Sequence, residues 1–477
     1  MRVLIITSKF LPLLMIFSFD HFTDTYAQNM SSTNQWSSLV QQAIENSVYH
    51  AQEKAQLDIH QAQTGAVDKW QEPRLSYRVS PSPIETKQGP LIHSLALSQK
   101  ITWSDEINVK KNLAQLQAKE VKFKITSVEL KIIEDLESSF WGLWFAMTYE
   151  QLLEQEMMVS EAALSHLEAL TKTQTVSLSR YKQAQYAHAQ VVESKERNHA
   201  QIRLWRHRLG QHLGQRPSYL GKVPFDLIEP ALLLCKSAKQ MKQFVQESFE
   251  RTQQNSVPQI KAAEAQVNYS HQALEQLKIS QRPQIDVAVQ WSVINEITHA
   301  SGLKDDVVTL QLSSTLPVWR HANEQARQMK VFEKTQKSLA LEKEKEIWQL
   351  TIHETRIALL EHSRRLAILE TKLLPLAKNV VEWREQENQG GLIDLTSVYE
   401  AQLAYIKLLG QNKKEFLACG QELARWKGLT QVKHKELTKF SPLLTPLESN
   451  GKFSIHLDSR HSSTRKKFTQ TLLEKKQ

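Results

Sequence analysis

The sequence predicts a mainly α-helical fold with a small β part, in which long antiparallel helical hairpins carry four short strands per chain. Three observations support this prediction. Only 13 Gly and 14 Pro punctuate 477 residues, which favours few, long helices. Short stretches with a period of two interrupt the helical composition, and landmarks of the first half of the chain recur in the second.

The first residues have the features of a secretory signal peptide. Arg2 supplies a positive start, residues 3–19 are mostly apolar, and Thr25-Tyr26-Ala27 ends in a small residue. We therefore expect residues 1–27 to direct export; an ordinary amphipathic N-terminus is the alternative. Beyond residue 19 no apolar stretch is long enough for a transmembrane helix, so a membrane crossing would require closed β-structure.

An internal duplication is predicted by landmarks that recur in order, at a nearly constant offset in residue number. The pairs are Pro73 and Pro283, Trp103 and Trp319, Ala184-Gln185 and Ala401-Gln402, and Gly214 and Gly428. We place the two helix-strand-strand-helix repeats at 28–217 and 218–431. A tail at 432–477 lacks periodicity, and we expect it to be disordered.

Each repeat contains two segments in which apolar and polar residues alternate. Alternation with a period of two puts the apolar groups on one face of a strand. The apolar positions are Leu75, Tyr77, Val79, Leu95, Leu97 and Ile101 in the first repeat, and Ile285, Val287, Val289, Trp291, Val308, Leu310 and Leu312 in the second. Segments of about ten residues could cross a bilayer as tilted strands, but a soluble half-covered sheet would show the same pattern. The signal peptide and the neighbouring helices favour the membrane.

Two very long helices are predicted after the strands. The runs from Trp103 to Gln174 and from Trp319 to Gly390 have equal length and apolar positions three or four apart, so each helix would extend about 100 Å. Pro375 should kink or split the second helix. Turns at Thr173-Gln174-Thr175 and at Gly390-Gly391 should then reverse the chain into a returning helix.

Charge and cysteine content add little functional information. The tail from Lys433 supplies +6 of the net charge of +9, so the rest of the chain is close to neutral and nucleic acid is not an expected partner. Cys235 and Cys419 lie far apart in the sequence, without metal-site spacing. A bridge between them is one alternative, but two separate small apolar residues are favoured.

No catalytic or cofactor motif is present in the sequence. His353-Glu354 begins like a zinc-protease helix, but Ile357 stands where the second histidine would be. Phosphate-binding and nucleophile-elbow motifs are absent as well. We therefore expect neither an enzyme nor a resident cofactor or metal.

Taken together, the signal peptide, the duplicated unit and the long helices resemble the TolC-type outer-membrane efflux protein family over residues 36 to 430. The motifs are Arg282-Pro283-Gln284-Ile285, Leu316-Pro317-Val318-Trp319, Gly391-Leu392-Ile393-Asp394-Leu395 with Ala401-Gln402, and Leu423 to Gly428. The resemblance implies a homotrimer whose strands close a twelve-stranded transmembrane β-barrel in outer-membrane lipid. It also implies an α-barrel of helices in the periplasm, docked to a periplasmic adaptor protein and an inner-membrane transporter for efflux or type I secretion.

The resemblance also singles out candidate site residues. Asp394 matches an acidic position at a pore constriction, although Ser397 stands where some members have a second Asp; a solvated Asp that offsets a helix dipole is the alternative. Trp103 and Trp319 would lie at the membrane interface or pack between barrel and helices. A different class of function, an exported coiled-coil scaffold or adhesin with a soluble β clip, also fits the sequence.

Overall fold

The computed structural model describes residues 32–67, 69–86, 89–215, 228–253, 257–294, 306–316, 318–390, 392, 394–432 and 434–437. The predicted signal peptide, Gly391 and residues 438–477 of the tail lie outside these ranges. The elements are α1 (Ser32–Glu45), α2 (Val48–Ala66), β1 (Arg74–Thr86), β2 (Gly89–Ile101), α3 (Ser104–Lys172), α4 (Leu178–Leu213), α5 (Glu229–Lys236), α6 (Ala238–Gln253), α7 (Pro258–Ser280), β3 (Ile285–Ile294), β4 (Val307–Ser314), α8 (Arg320–Ile368), a π-helical turn (Leu369–Leu373), α9 (Leu374–Gln389), α10 (Leu395–Thr430) and α11 (His434–Leu437).

The order of elements in the first half is repeated in the second. Two helices in the first half and three in the second precede a β-hairpin, a very long helix and a returning helix, and the returning helices α4 and α10 both have 36 residues. Both end in the left-handed conformation, at Gly214 with φ 63° and at Gln431 with φ 57°. Gly214 and Gln431 thus occupy equivalent positions, whereas Gly428, the predicted equivalent of Gly214, lies inside α10.

The long helices are present with the predicted extent. Helix α3 has 69 residues, which makes it about 100 Å long. Its counterpart is divided into α8, the π-helical turn and α9, with Pro375 in the first turn of α9. A π turn accommodates one extra residue and a residue that lacks a backbone N–H. The predicted irregularity near Pro375 is therefore present as a π turn, and the helix continues through it.

The helices form a layer whose middle is α3. Helix α4 packs along one side of α3 and α10 along the other, while α8 and α9 pack on the far side of α10. Nearer the sheet, α2 and α7 take the places of α4 and α10 beside α3. In the part of the chain that the structure describes, no helix combines the length and the apolar character needed to cross a membrane.

The four strands form one antiparallel sheet in the order β1-β2-β3-β4. Its register aligns four residues across the sheet in each row, for example Leu75, Leu97, Val289 and Leu310. The next row contains Ser76, Ala96, Gln290 and Thr309. Because successive rows point to opposite faces, one face is apolar and the other is mainly polar.

The main apolar core lies at mid-length of the long helices. Trp141 of α3, Phe244 of α6, and Phe416 and Trp426 of α10 are almost fully buried there, and Leu437 of α11 joins them. A second cluster packs Trp36 of α1 against α3 and α4. The short helices thus pack on the long helices at mid-length.

The two cysteines are joined in a disulfide, so the prediction of two separate apolar residues was wrong. Cys235 of α5 and Cys419 of α10 are fully buried, with their Cα atoms 6.2 Å apart. Ser363 of α8 donates a hydrogen bond of 2.9 Å to the Cys235 carbonyl oxygen beside the bridge. Their wide separation in the sequence gave no sign that α5 folds across α10.

Candidate functional site

The apolar face of the sheet is the first functional surface. Two adjacent apolar rows cross all four strands, and most of these side chains are exposed in the isolated subunit, Leu310 by 73%. The rows contain Leu75, Leu97, Val289 and Leu310, and Tyr77, Leu95, Trp291 and Val308. A contiguous exposed apolar surface of this kind indicates contact with lipid or with another protein.

Both outer edges of the sheet are unpaired in the described residues. Strand β1 pairs only with β2, and β4 pairs only with β3. An edge strand presents a row of free backbone N–H and C=O groups that favour pairing with another strand. In lipid such groups would have to be satisfied by a further strand.

Trp103 and Trp319 occupy the predicted junctions between strand and helix. Each is the residue before a long helix, α3 or α8. The Trp103 indole N–H donates a hydrogen bond of 3.1 Å to the Pro283 carbonyl oxygen, which ties the two repeats together. Trp319 is 77% exposed, whereas Trp103 is 38% exposed. The two equivalent residues therefore have different environments within one subunit.

The predicted turn residues lie at the end of the helical layer opposite the sheet. Gln174 has φ 61°, and the Thr175 N–H donates a hydrogen bond of 3.0 Å to the Leu170 carbonyl oxygen, which closes the end of α3. The hydroxyl groups of Thr173 and Thr175 are 2.6 Å apart. In the second hairpin the Gly390 N–H bonds the Gln386 carbonyl oxygen at 3.0 Å. These bonds close the ends of α3 and α9.

Asp394 is the residue before α10, and its side chain contacts α3. Its Oδ1 lies 3.3 Å from Nε2 of His166, and the His166 ring meets the Tyr399 ring edge to face at 6.2 Å. The Thr396 side chain and the His166 ring lower the pKa of Asp394 below its ordinary value. Asp394 thus has a partner within its own subunit, and its position before α10 also fits the predicted helix-dipole role.

A second ion pair joins the two hairpins near the turns. An Arg180 guanidinium nitrogen on α4 lies 3.2 Å from a carboxylate oxygen of Glu400 on α10. His166, Arg180 and Glu400 were not among the residues predicted from the sequence. Each of the two contacts joins a residue of the first repeat to a residue of the second, and no local pattern marks such contacts.

Within the described ranges, no three His, Cys, Asp or Glu side chains are grouped to hold a metal ion. The polar contacts near the turns join helices to each other.

The search for sequence relatives found no match, either to a family model or to a curated protein. The search of solved structures gave clear similarities. The chain is similar to the CmeC outer membrane channel of Campylobacter jejuni, at 10% identity and a TM-score of 0.62, over 92% of this chain and 98% of that one. It is similar to the MtrE outer membrane channel of Neisseria gonorrhoeae, at 13% identity and a TM-score of 0.58, over 83% and 88%. A membrane protein from Pseudomonas aeruginosa matches at 13% identity and a TM-score of 0.66, over 83% and 92%.

These similarities define the class of fold. The chain has the fold of TolC-type outer-membrane channels, so the resemblance inferred from its motifs is confirmed at the level of the fold.

Proposed function

We propose that this chain is one subunit of a TolC-family channel, a passive conduit across the outer membrane and periplasm that serves a tripartite efflux pump or a type I secretion system. The observation that carries the proposal is the sheet. One of its faces is apolar across all four strands, and both of its edges are unpaired in the described residues. A lipid-facing sheet needs both features if it is to be completed by other copies. We propose no catalytic activity.

A homotrimer completes the sheet most simply. Four strands cannot enclose a lumen, since small barrels need about eight. Three copies of this sheet supply twelve strands, with β4 of one copy paired to β1 of the next. The apolar face then meets outer-membrane lipid, while the polar face, with Ser76, Gln290 and Thr309, lines the lumen. The helical layers of the three copies close into an α-barrel that continues the passage through the periplasm.

The disulfide supports a location outside the cytosol. Structural disulfides persist in the bacterial periplasm and are rare in the cytosol. The buried Cys235–Cys419 bridge therefore agrees with export by the predicted signal peptide at 1–27. The proposed location is the outer membrane, with the helices in the periplasm. The proposed partners are a periplasmic adaptor protein and an inner-membrane transporter.

The proposed orientation of the sheet is tested by two matched substitutions. Leu97→Lys puts a charge on the apolar face, where burial in lipid costs about 2–4 kcal/mol near the bilayer centre. Ser98→Lys puts the same charge on the adjacent position of the opposite face. We expect Leu97→Lys to reduce the outer-membrane trimer strongly and Ser98→Lys to leave it assembled, as measured by membrane fractionation and native mass. Equal behaviour of the two variants would contradict a lipid-facing apolar surface.

The channel itself is tested by conductance. Wild-type protein purified in detergent should insert into planar bilayers and conduct ions as a trimer. An exported coiled-coil scaffold or adhesin would instead extract into buffer without detergent, remain monomeric and show no conductance. That result would replace the channel by the alternative function.

Asp394 is the proposed acidic group of the pore constriction. Three symmetry-related copies near the axis would favour cations. Asp394→Asn should then lower the preference for cations in bilayer recordings, while Glu400→Gln, also near the turns, should leave it nearly unchanged. If selectivity stays the same in Asp394→Asn, the contact with His166 is the role that remains. Trp103 and Trp319 are proposed as aromatic residues of the periplasmic membrane interface.

A further inference from the structure

Within one subunit, the contact between α3 and α10 near the turns includes an ion pair. His166 of α3 contacts Asp394 at the start of α10, at 3.3 Å. Further from the turns, Glu156 of α3 and Leu403 of α10 line the same groove. The two helices run antiparallel, so these contacts define a fixed register between a descending and an ascending helix.

The internal repeat gives each of these residues an equivalent. The descending helices end at Lys172 in α3 and at Gln389 in α9, which sets an offset of 217 in residue number. The same offset relates Ser177 and Asp394, the residues before the returning helices. Near the turns, adding 217 to a residue number in the first hairpin therefore gives the equivalent residue in the second hairpin. At the other end, the starts of the long helices, Ser104 and Arg320, have an offset that is smaller by one residue. The extra residue of the π turn accounts for this difference.

The equivalents of the polar contacts lie at the two free sides of the helical layer. Helix α4 forms one side and α9 the other. By the offset of 217, the residues equivalent to His166 and Glu156 are Trp383 and Leu373. The residue equivalent to Leu403 is Tyr186. All three equivalents are exposed in the isolated subunit, Trp383 by 60% and Tyr186 by 67%.

Apolar side chains continue along both free sides. On α9, Val380 and Leu376 are exposed one and two turns before Trp383, and on α4, Leu178 is exposed beside Ser177. The residue equivalent to Val380 is Ala163 of α3, which is buried by its neighbours within the subunit. The position occupied by Ala163 is thus covered within the subunit, whereas its equivalent Val380 is exposed to solvent in the isolated subunit.

We infer that α9 of one copy packs on α4 of the next copy in the register that α3 and α10 adopt within a subunit. Trp383 then lies over Ser177 and Leu178, and Leu373 lies against Tyr186. This inference rests on the proposed trimer and specifies its contact surface. At the position that the His166–Asp394 pair occupies within a subunit, the contact between copies is then formed by Trp383 with Ser177 and Leu178.

Cysteine cross-linking tests the register. In the double variant Trp383→Cys/Ser177→Cys, treatment of the detergent-solubilised protein with an oxidant or a short bis-maleimide should give covalent dimers and trimers on a denaturing gel. The native cysteines do not interfere, because they are buried and bonded to each other. The matched control is His166→Cys/Asp394→Cys, the equivalent pair within a subunit. This pair should cross-link within one chain, which still runs as a monomer on the denaturing gel.

A second control tests which side of α9 faces α4 of the next copy. Val381 lies two residues before Trp383 and points to a different side of the helix, so Val381→Cys/Ser177→Cys should cross-link at least tenfold more slowly. Equal rates for the two pairs would overturn the register. It would also be overturned if Trp383→Cys/Ser177→Cys stayed monomeric on the denaturing gel while its native mass was that of a trimer. A monomeric wild-type protein in detergent would instead refute the proposed channel.

Assembly strength gives a readout that does not depend on introduced cysteines. Trp383→Ala should lower the temperature at which the trimer dissociates on a semi-native gel, because it removes the largest exposed apolar side chain of this seam. Met158→Ala, at an exposed position on the central helix α3, should leave that temperature unchanged. The same temperature for both variants would contradict the inferred contact.

Discussion

Gly420 allows α3 and α10 to approach each other at the centre of the subunit. A Cβ atom at this position would lie 2.1 Å from Cδ2 and Cε2 of Trp141. Carbon atoms normally pack at about 3.5–4.0 Å, so Gly420→Ala requires a relative displacement of roughly 1.5 Å. The Trp141 ring has no exposed surface, so it cannot move outward.

The expected cost follows from two opposing effects. Replacing a glycine inside a helix by alanine stabilises it by about 0.5–1 kcal/mol. Overpacking a closed core costs about 1–3 kcal/mol, and the severity of this contact places it at the upper end. We expect Gly420→Ala to lower the free energy of unfolding by about 2 kcal/mol, measured by guanidinium denaturation of the protein in detergent.

Two other glycines serve as controls. At Gly65 of α2 a Cβ atom would have no neighbour within 4 Å, so Gly65→Ala should raise the stability by about 0.5–1 kcal/mol. At Gly142 the new Cβ would meet the Trp205 ring at 2.4 Å, but that ring is half-buried and can swing outward, so the loss should be smaller than at Gly420. If Gly420→Ala were as stable as Gly65→Ala, the packing argument would fail.

Three further stability measurements probe other parts of the subunit. Replacing both Cys235 and Cys419 by Ala should lower the unfolding midpoint; the long loop that the bridge closes sets an upper limit of about 5 kcal/mol, and reduced wild type should match the variant. Gln431→Gly should raise the stability by about 1 kcal/mol, because it relieves a left-handed backbone at the end of α10, and an unchanged midpoint would contradict this. Lys427→Met leaves the buried Glu137 carboxylate without its ion-pair partner and should cost about 3–5 kcal/mol, most of which Glu137→Leu should restore in the double variant.

Local patterns in the sequence predicted the elements well. Alternation from Ile285 onward identified a strand because its period is set by the backbone alone. The absence of proline and of glycine clusters between Trp103 and Gln174 predicted the extent of α3. Pro375 marked an irregular point, but whether the backbone kinks or inserts a π turn depends on the neighbouring helices that must remain in register.

The contacts between distant segments could not be predicted in this way. Cys235 and Cys419 meet because α5 crosses α10, and the sequence contains no local sign of that crossing. Asp394 was singled out by resemblance, but its partner His166 belongs to the other repeat and became evident only from the packing of α3 against α10. The site residues that were missed are those whose function depends on a neighbour in space.

Stability is unevenly distributed along the helical layer, and this predicts where the layer opens locally. At mid-length, Trp141, Phe244 and Phe416 belong to one buried cluster shared by both repeats, so separating the hairpins there exposes a large apolar area. Near the turns the links between hairpins include the partly exposed pairs His166–Asp394 and Arg180–Glu400, and exposed pairs contribute only about 0–1 kcal/mol each. Local opening should therefore begin near the turns, and amide hydrogen exchange in residues 166–180 should be faster than in residues 412–426. Equal protection of the two segments would mean that the turn end is held by contacts stronger than these ion pairs.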